Sequence, residues 1–133
     1  ECRTESSLAP LRLLPTSTLF APLDIGPDIL IRTSHSVIGT AHHRNAAGIT
    51  AVVEGFTATP DRARAILARL NGGNGPDYLV ACPGINEFKH YAREHRGSLA
   101  TMLNRGAAPV WLRPVSLPGL KGLRVYKIMP GRS

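Results

Sequence analysis

Apolar residues along the chain follow two patterns, one typical of strands buried in a sheet and one typical of amphipathic helices. Residues 77–82 form an almost continuous apolar run between turn signals, which predicts a strand covered on both faces. Shorter strands are predicted at residues 16–23, confined by prolines, and at residues 36–40. The apolar residues of the segment 110–128 surround a Pro-Gly turn and predict a C-terminal antiparallel hairpin.

Helices are predicted where apolar residues return every three or four positions, as they do in residues 49–56. Pro27 suits the first position of an earlier, short helix, and Asp28 favours the positive end of its dipole. Thr59 is a suitable N-cap for another helix, and residues 88–103 carry two further helical faces.

The length of the chain agrees with this arrangement. A protein of 133 residues has the usual size of one domain and can bury a core without additional cross-links. The order of the elements is β-α-β-α-α-β-α-α-β-β. It predicts a single soluble α/β domain over residues 1–133, in which helices flank a mixed sheet of about five strands.

The N-terminal residues bear on whether the chain is part of a longer protein. Its first residues are polar, residue 1 is not Met, and no apolar signal-peptide region follows. The sequence also contains no run of roughly 18–20 apolar residues that could cross a membrane. We therefore expect the chain to be part of a longer exported or membrane-anchored protein.

The net charge of the chain indicates which classes of partner it could bind. The formal charge is +7, from 16 Lys and Arg against 9 Asp and Glu, and nearly all the cations are Arg. They are spread along the chain without a dense run, which is typical of a solvated basic surface. If this surface binds an anion, a membrane leaflet or lipid phosphate accounts for the charge as well as nucleic acid does. The aromatic fraction of 5% argues against a stacking platform for single-stranded nucleic acid.

Cys2 and Cys82 are the two cysteines of the chain, too few for a disulfide scaffold. A bridge between them would tie a loose terminus to a core strand. The other interpretation is a buried free Cys82 and an incidental Cys2, because sequence alone does not establish pairing.

The first candidate site is the turn that contains Asp24 and Gly26. It follows a predicted strand and opens a helix, which is where α/β proteins place ligands. The free N–H groups of the helix could hold an anion there. Asp24 either faces a ligand or caps those same N–H groups. No glycine-rich phosphate loop accompanies the turn, and no cofactor is predicted.

The second candidate site is the polar loop His42-His43-Arg44-Asn45, with His35 shortly before it. Adjacent histidines point in different directions on an extended backbone, and the spacing fits no metal template, so no metal site is predicted. Arg44 and Asn45 could hydrogen-bond backbone, pair with an acid or face a phosphate. The enzymatic alternative is a small metal-assisted hydrolase that uses Asp24, His35, His42 and His43, and the binding alternative is a basic nucleic-acid module.

Together these segments resemble a known arrangement. Residues 19–27 (LFAPLDIGP) lead from a strand through an Asp-x-Gly turn into a short helix, and residues 37–45 (VIGTAHHRN) lead from a strand into a polar loop. A capped helix and the strand 77–80 (DYLV) follow. Over residues 8–128 this is similar to the extracytoplasmic C-terminal domain of bacterial polytopic membrane proteins related to lipid-linked-sugar glycosyltransferases and oligosaccharyltransferases.

The resemblance implies a function for the whole chain. In oligosaccharyltransferases the matching turn carries a Trp-Trp-Asp-Tyr-Gly motif. Here Asp24 and Gly26 match, but Pro22 and Leu23 occupy the tryptophan places, which argues against peptide-sequon recognition. The catalytic carboxylates of such enzymes belong to membrane-side loops outside this chain.

The resemblance therefore implies a non-catalytic periplasmic domain, attached to the inner membrane through an N-terminal transmembrane region. It would help to position donor or acceptor. Its expected partners are the membrane-embedded part of the same protein and lipid-linked sugar phosphate or anionic lipid headgroups, without nucleic acid. The polar surface would comprise Asp24, Gly26, His43, Arg44 and Asn45.

Overall fold

The computed structural model describes residues 2–39 and 46–130. Within these residues the chain forms five strands, six α-helices and two short 3-10 helices. The strands are β1 (Thr18–Phe20), β2 (Ser36–Ile38), β3 (Tyr78–Ala81), β4 (Leu112–Val115) and β5 (Arg124–Ile128). The α-helices are α1 (Glu5–Leu8), α2 (Gly26–Arg32), α3 (Ala46–Thr57), α4 (Pro60–Ala68), α5 (Asn86–Glu94) and α6 (Leu99–Asn104). The 3-10 helices are Ala9–Leu13 and Asn71–Gly73.

The strands form one mixed sheet in the order β2-β1-β3-β5-β4. β1 lies between β2 and β3 and is parallel to both, whereas β5 is antiparallel to β3 and to β4. The predicted α/β class, the five-stranded mixed sheet and the C-terminal hairpin are confirmed. The strand predicted at 16–23 is shorter, because β1 ends at Phe20, two residues before Pro22, which has no N–H for a ladder.

Both faces of the sheet are covered, as the apolar run of β3 requires. Alternate residues of a strand point to opposite faces, so Leu79 and Val80 enter different cores. Leu79 joins the core beneath the four helices α3–α6. Val80 joins the core formed with α1, the first 3-10 helix and α2.

An aromatic group holds the larger core together. The ring of Phe56 lies 5.0 Å from that of Phe20, 5.3 Å from Phe88 and 5.8 Å from Tyr91. These rings join α3 to the sheet and to α5. Gly55 lets the helix approach, because a Cβ built at Gly55 would lie 2.6 Å from Phe20 Cζ.

Cys2 and Cys82 form a disulfide bond, which decides between the two interpretations left open by the sequence. Their Cα atoms lie 6.5 Å apart, and both residues are fully buried in the core that contains Val80. The bridge therefore fastens the N-terminal segment to the chain immediately after β3. None of the helices in the described ranges is long and apolar enough to cross a membrane.

Candidate functional site

The first candidate turn lies at the carboxyl edge of the three parallel strands. β1, β2 and β3 are neighbours and end at the same edge, so the turns that follow them are brought together. The turn after β1 contains Asp24, and the turn after β3 leads from Cys82 into α5. This is the edge at which α/β proteins place ligands.

Glu87, in the first turn of α5, braces the loop that carries Asp24. Its Oε2 accepts the backbone N–H of Leu23 at 2.7 Å, and its Oε1 accepts the backbone N–H of Asp24 at 2.7 Å. Charge-assisted bonds of this length are among the stronger hydrogen bonds in proteins. One carboxylate therefore holds two consecutive peptide groups of a loop that is 63 and 64 residues away in sequence.

Tyr91 completes this bracing. It lies four residues after Glu87 on the same face of α5, and its hydroxyl donates a 2.5 Å hydrogen bond to Glu87 Oε2. Burial raises the pKa of Tyr91 well above its ordinary value, and the hydrogen bond to Glu87 and the negative charges of Glu87 and Asp24 raise it further. The hydroxyl thus stays protonated and continues to donate.

The Tyr91 hydroxyl makes stability depend on alkaline pH. Because its pKa is higher in the folded state, its contribution is fully present below the unfolded-state pKa of about 10 and is lost as the pH rises from there. We expect the free energy of unfolding to fall by up to about 1.4 kcal/mol for each pH unit above 10 from this group alone. Urea unfolding of the wild type and of Tyr91→Phe between pH 8 and about pH 11 measures this loss of stability. If the free energy of unfolding fell equally steeply with pH in the two proteins, the prediction would be contradicted.

Asp24 itself presents its carboxylate to solvent. The N-cap residue of α2 is Ile25, and α2 has no side-chain cap, so Asp24 does not cap this helix. The turn is closed instead by the Pro22 carbonyl, which accepts the N–H groups of Ile25 and Gly26. The exposed Asp24 carboxylate makes no hydrogen bond or ion pair within residues 2–39 and 46–130. The sequence left open whether Asp24 caps the helix or faces a ligand. In the structure Glu87 binds the backbone of the loop, and the Asp24 carboxylate remains available to a ligand.

Of the predicted polar surface, Asp24 and Gly26 are described. Gly26 is buried where α2 begins. His42, His43, Arg44 and Asn45 lie outside the described residues. Their part in the site stays a prediction from the sequence.

His35 is engaged in the architecture of the domain. It is buried, its Nδ1 accepts the backbone N–H of Ser17 at 3.1 Å, and its Nε2 lies 2.7 Å from the Leu11 carbonyl. Since a backbone N–H can only donate, the ring carries its hydrogen on Nε2 and donates to Leu11. Both nitrogens are occupied, which disfavours His35 as a metal ligand. In the part of the chain that the structure describes, no group of three or more His, Cys, Asp or Glu could hold a metal ion.

Glu87 is the residue of this candidate site that sequence reasoning missed. Its signal was its position four residues before Tyr91 at the start of a strongly amphipathic helix. That spacing shows that the two side chains share a helical face. It does not show that this face meets the turn after β1, because strand order decides which turns are neighbours.

The sequence matches no protein-family model, and comparison with curated proteins finds no match. The class of the protein is therefore defined by its fold and by this edge. It is a disulfide-bonded α/β domain in which a braced loop presents one exposed carboxylate at the carboxyl edge of the parallel strands.

Proposed function

We propose that this chain is a non-catalytic periplasmic accessory domain of a membrane protein related to lipid-linked-sugar glycosyltransferases. It helps to position a donor or an acceptor with the surface that contains Asp24. The observation that carries the proposal is the pairing of a rigidly held loop with an exposed, unpartnered carboxylate within the described residues. Fixing the loop before binding reduces the entropy lost when a ligand is bound.

The chemistry of Asp24 favours a neutral, hydroxyl-bearing ligand. A carboxylate accepts hydrogen bonds from hydroxyl and N–H donors and is repelled by phosphate. A sugar ring offers several hydroxyl donors, so Asp24 suits the carbohydrate part of a sugar phosphate. Arg44 would supply a cation for the phosphate, and His43 and Asn45 would add hydrogen-bonding groups. Gly26 is buried and would act through the shape of the turn that carries Asp24.

The disulfide supports the proposed location. Disulfides persist in oxidising compartments, including the bacterial periplasm, and are rare in the cytosol. A buried bridge between Cys2 and Cys82 is consistent with an extracytoplasmic domain. The proposed partners are the membrane-embedded part of the same protein, reached through an N-terminal transmembrane region, and lipid-linked sugar phosphate or anionic lipid headgroups. Nucleic acid is not proposed as a partner.

The proposal is tested by titrating the isotope-labelled domain with a polyprenyl-phosphate-linked hexose in detergent micelles and recording amide shifts. We expect saturable shifts at Leu23, Asp24 and Ile25 and no release of free hexose by the domain. Asp24→Asn should weaken binding by about tenfold, because it removes a charge-assisted acceptor. The matched control is Glu54→Gln, which removes an exposed carboxylate of α3 and should leave the affinity unchanged.

Two results would contradict the proposal. Release of hexose by the isolated domain would show that it is catalytic. Saturable binding that leaves the amides of the Asp24 loop unshifted and is equal in Asp24→Asn and wild type would place recognition elsewhere. Amide dispersion equal to that of the wild type verifies that each variant is folded.

A further inference from the structure

A second concave surface lies between α4 and the edge of the sheet formed by β4 and the end of β5. It is a groove of about 690 Å³ lined by Asp61, Arg64, Ala65, Ala68, Val110, Trp111, Arg113, Met129 and Pro130. Four of these residues, at positions 61, 64, 65 and 68, form one face of α4, since residues three and four apart share a helical face. The small Ala65 and Ala68 side chains leave the helical wall of the groove open.

Trp111 contributes a nearly buried indole ring to the lining of this groove. The indole is 3% exposed, and its Nε1–H has no acceptor among the described residues. A buried donor without an acceptor costs about 1–3 kcal/mol, and buried polar groups in native proteins generally have a partner. Because the Nε1 atom itself is buried from solvent, an occupant of the groove would meet the indole ring and not its N–H.

Two guanidinium groups add positive charge to the same groove. Neither Arg64 nor Arg113 forms an ion pair within the described ranges, and Arg64 makes a 3.4 Å contact to the Pro130 carbonyl. Arginine carries several donors in a planar fork that matches phosphate and carboxylate oxygens. Asp61 is the one acidic group among the lining residues and opposes an anion at its end of the groove.

The rest of the lining is apolar. Val110, which is 96% exposed, stands at the rim with Met129, Ala65 and Ala68. An inorganic anion would pair with the arginines but would leave these apolar side chains in contact with water. A neutral apolar molecule would cover them but would leave the donors unpaired.

We propose that this groove binds an amphiphilic phosphate monoester, with the phosphate at Arg64 and Arg113 and the alkyl chain along Ala65, Ala68 and Val110. The inference does not rest on the function proposed for the Asp24 edge, since the two surfaces share no residue. A groove that holds both the head and the first part of the chain selects for both chemistries.

The single tryptophan of the sequence makes the test direct, because Trp111 reports on this groove alone. The probe is octyl phosphate below its critical micelle concentration, followed by tryptophan emission. We expect saturable binding of octyl phosphate, and affinity at least about tenfold weaker for inorganic phosphate and for octyl glucoside. Isothermal titration provides a second measurement that does not depend on fluorescence.

Variants of α4 and β4 separate specific binding from general attraction. Combining Arg64→Gln with Arg113→Gln should weaken octyl phosphate binding by about tenfold or more, and Asp61→Asn should strengthen it. Arg62→Gln removes an exposed charge from α4 outside the groove lining and should leave the affinity unchanged. Asp24→Asn should also have no effect here, which distinguishes this site from the edge of the parallel strands.

Three outcomes would overturn the inference. One is the absence of saturable binding in both emission and titration. Another is an equal loss of affinity in Arg62→Gln and in the Arg64 and Arg113 variant. The third is octyl glucoside binding as tightly as octyl phosphate. Urea midpoints equal to the wild type verify that the variants are folded.

Discussion

Removing the Cys2–Cys82 bridge is expected to lower the free energy of unfolding by about 4 kcal/mol. The two cysteines are 80 residues apart, so the bond closes a long loop and restricts the unfolded chain strongly. Native contacts of the N-terminal segment with the sheet are also lost more easily once the covalent connection is gone. The measurement is urea unfolding of the oxidised protein, the reduced protein and the double variant with Cys2→Ala and Cys82→Ala.

The double variant is the control for the reductant itself. It should unfold at the same urea concentration with and without reductant, whereas the wild type should lose stability on reduction. The denatured, unreduced wild type should contain no free thiol. Wild-type free energies of unfolding that agree to within about 0.5 kcal/mol in the two redox states would show that the bridge contributes little.

Gly39→Ala is expected to cost about 3 kcal/mol or more, since it combines backbone strain with a collision. Gly39 follows β2 with φ of 71°, a left-handed conformation that residues with a Cβ rarely adopt. A Cβ built there would lie 2.6 Å from the Gly48 carbonyl oxygen and 2.8 Å from the Gly48 carbonyl carbon. These are backbone atoms of α3, so relief requires movement of the helix away from β2.

Gly72→Ala is the matched control, because it introduces the same side chain at nearly the same backbone angle. Gly72 has φ of 66°, and nothing lies within 4 Å of a Cβ built there. It should cost only the left-handed conformation, about 1 kcal/mol. The difference between the two variants in urea unfolding measures the collision with α3. Equal losses of unfolding free energy in the two variants would show that α3 moves away from the added Cβ without a cost in stability.

The two surfaces differ in what they offer a ligand. The edge after the parallel strands presents a carboxylate on a braced loop and suits hydroxyl donors. The groove beside α4 presents two guanidinium groups and suits an anion. Because the surfaces have separate residues and separate probes, their roles can be established independently.

Much of the fold followed from patterns that extend over a few residues. The apolar run of β3 required cover on both faces, and two cores are present. Ser98 caps α6 by accepting the N–H of Thr101, as its position before an apolar helical face predicts. The predicted N-cap Thr59 occupies its place with extended backbone angles but makes no side-chain cap bond. These elements could be predicted from the sequence because each one depends on residues that are close to one another in the chain.

The sequence by itself determined the α/β class, the order of the strands and α-helices from β1 onward, and the position of Asp24 in a turn after a strand. Only the tertiary structure decided that Cys2 meets Cys82, that Glu87 binds the Asp24 loop and that Gly39 lies against α3. The first set depends on periodicity and turn chemistry, which neighbouring residues express. The second set depends on strand order and helix packing, which bring together residues far apart in the chain.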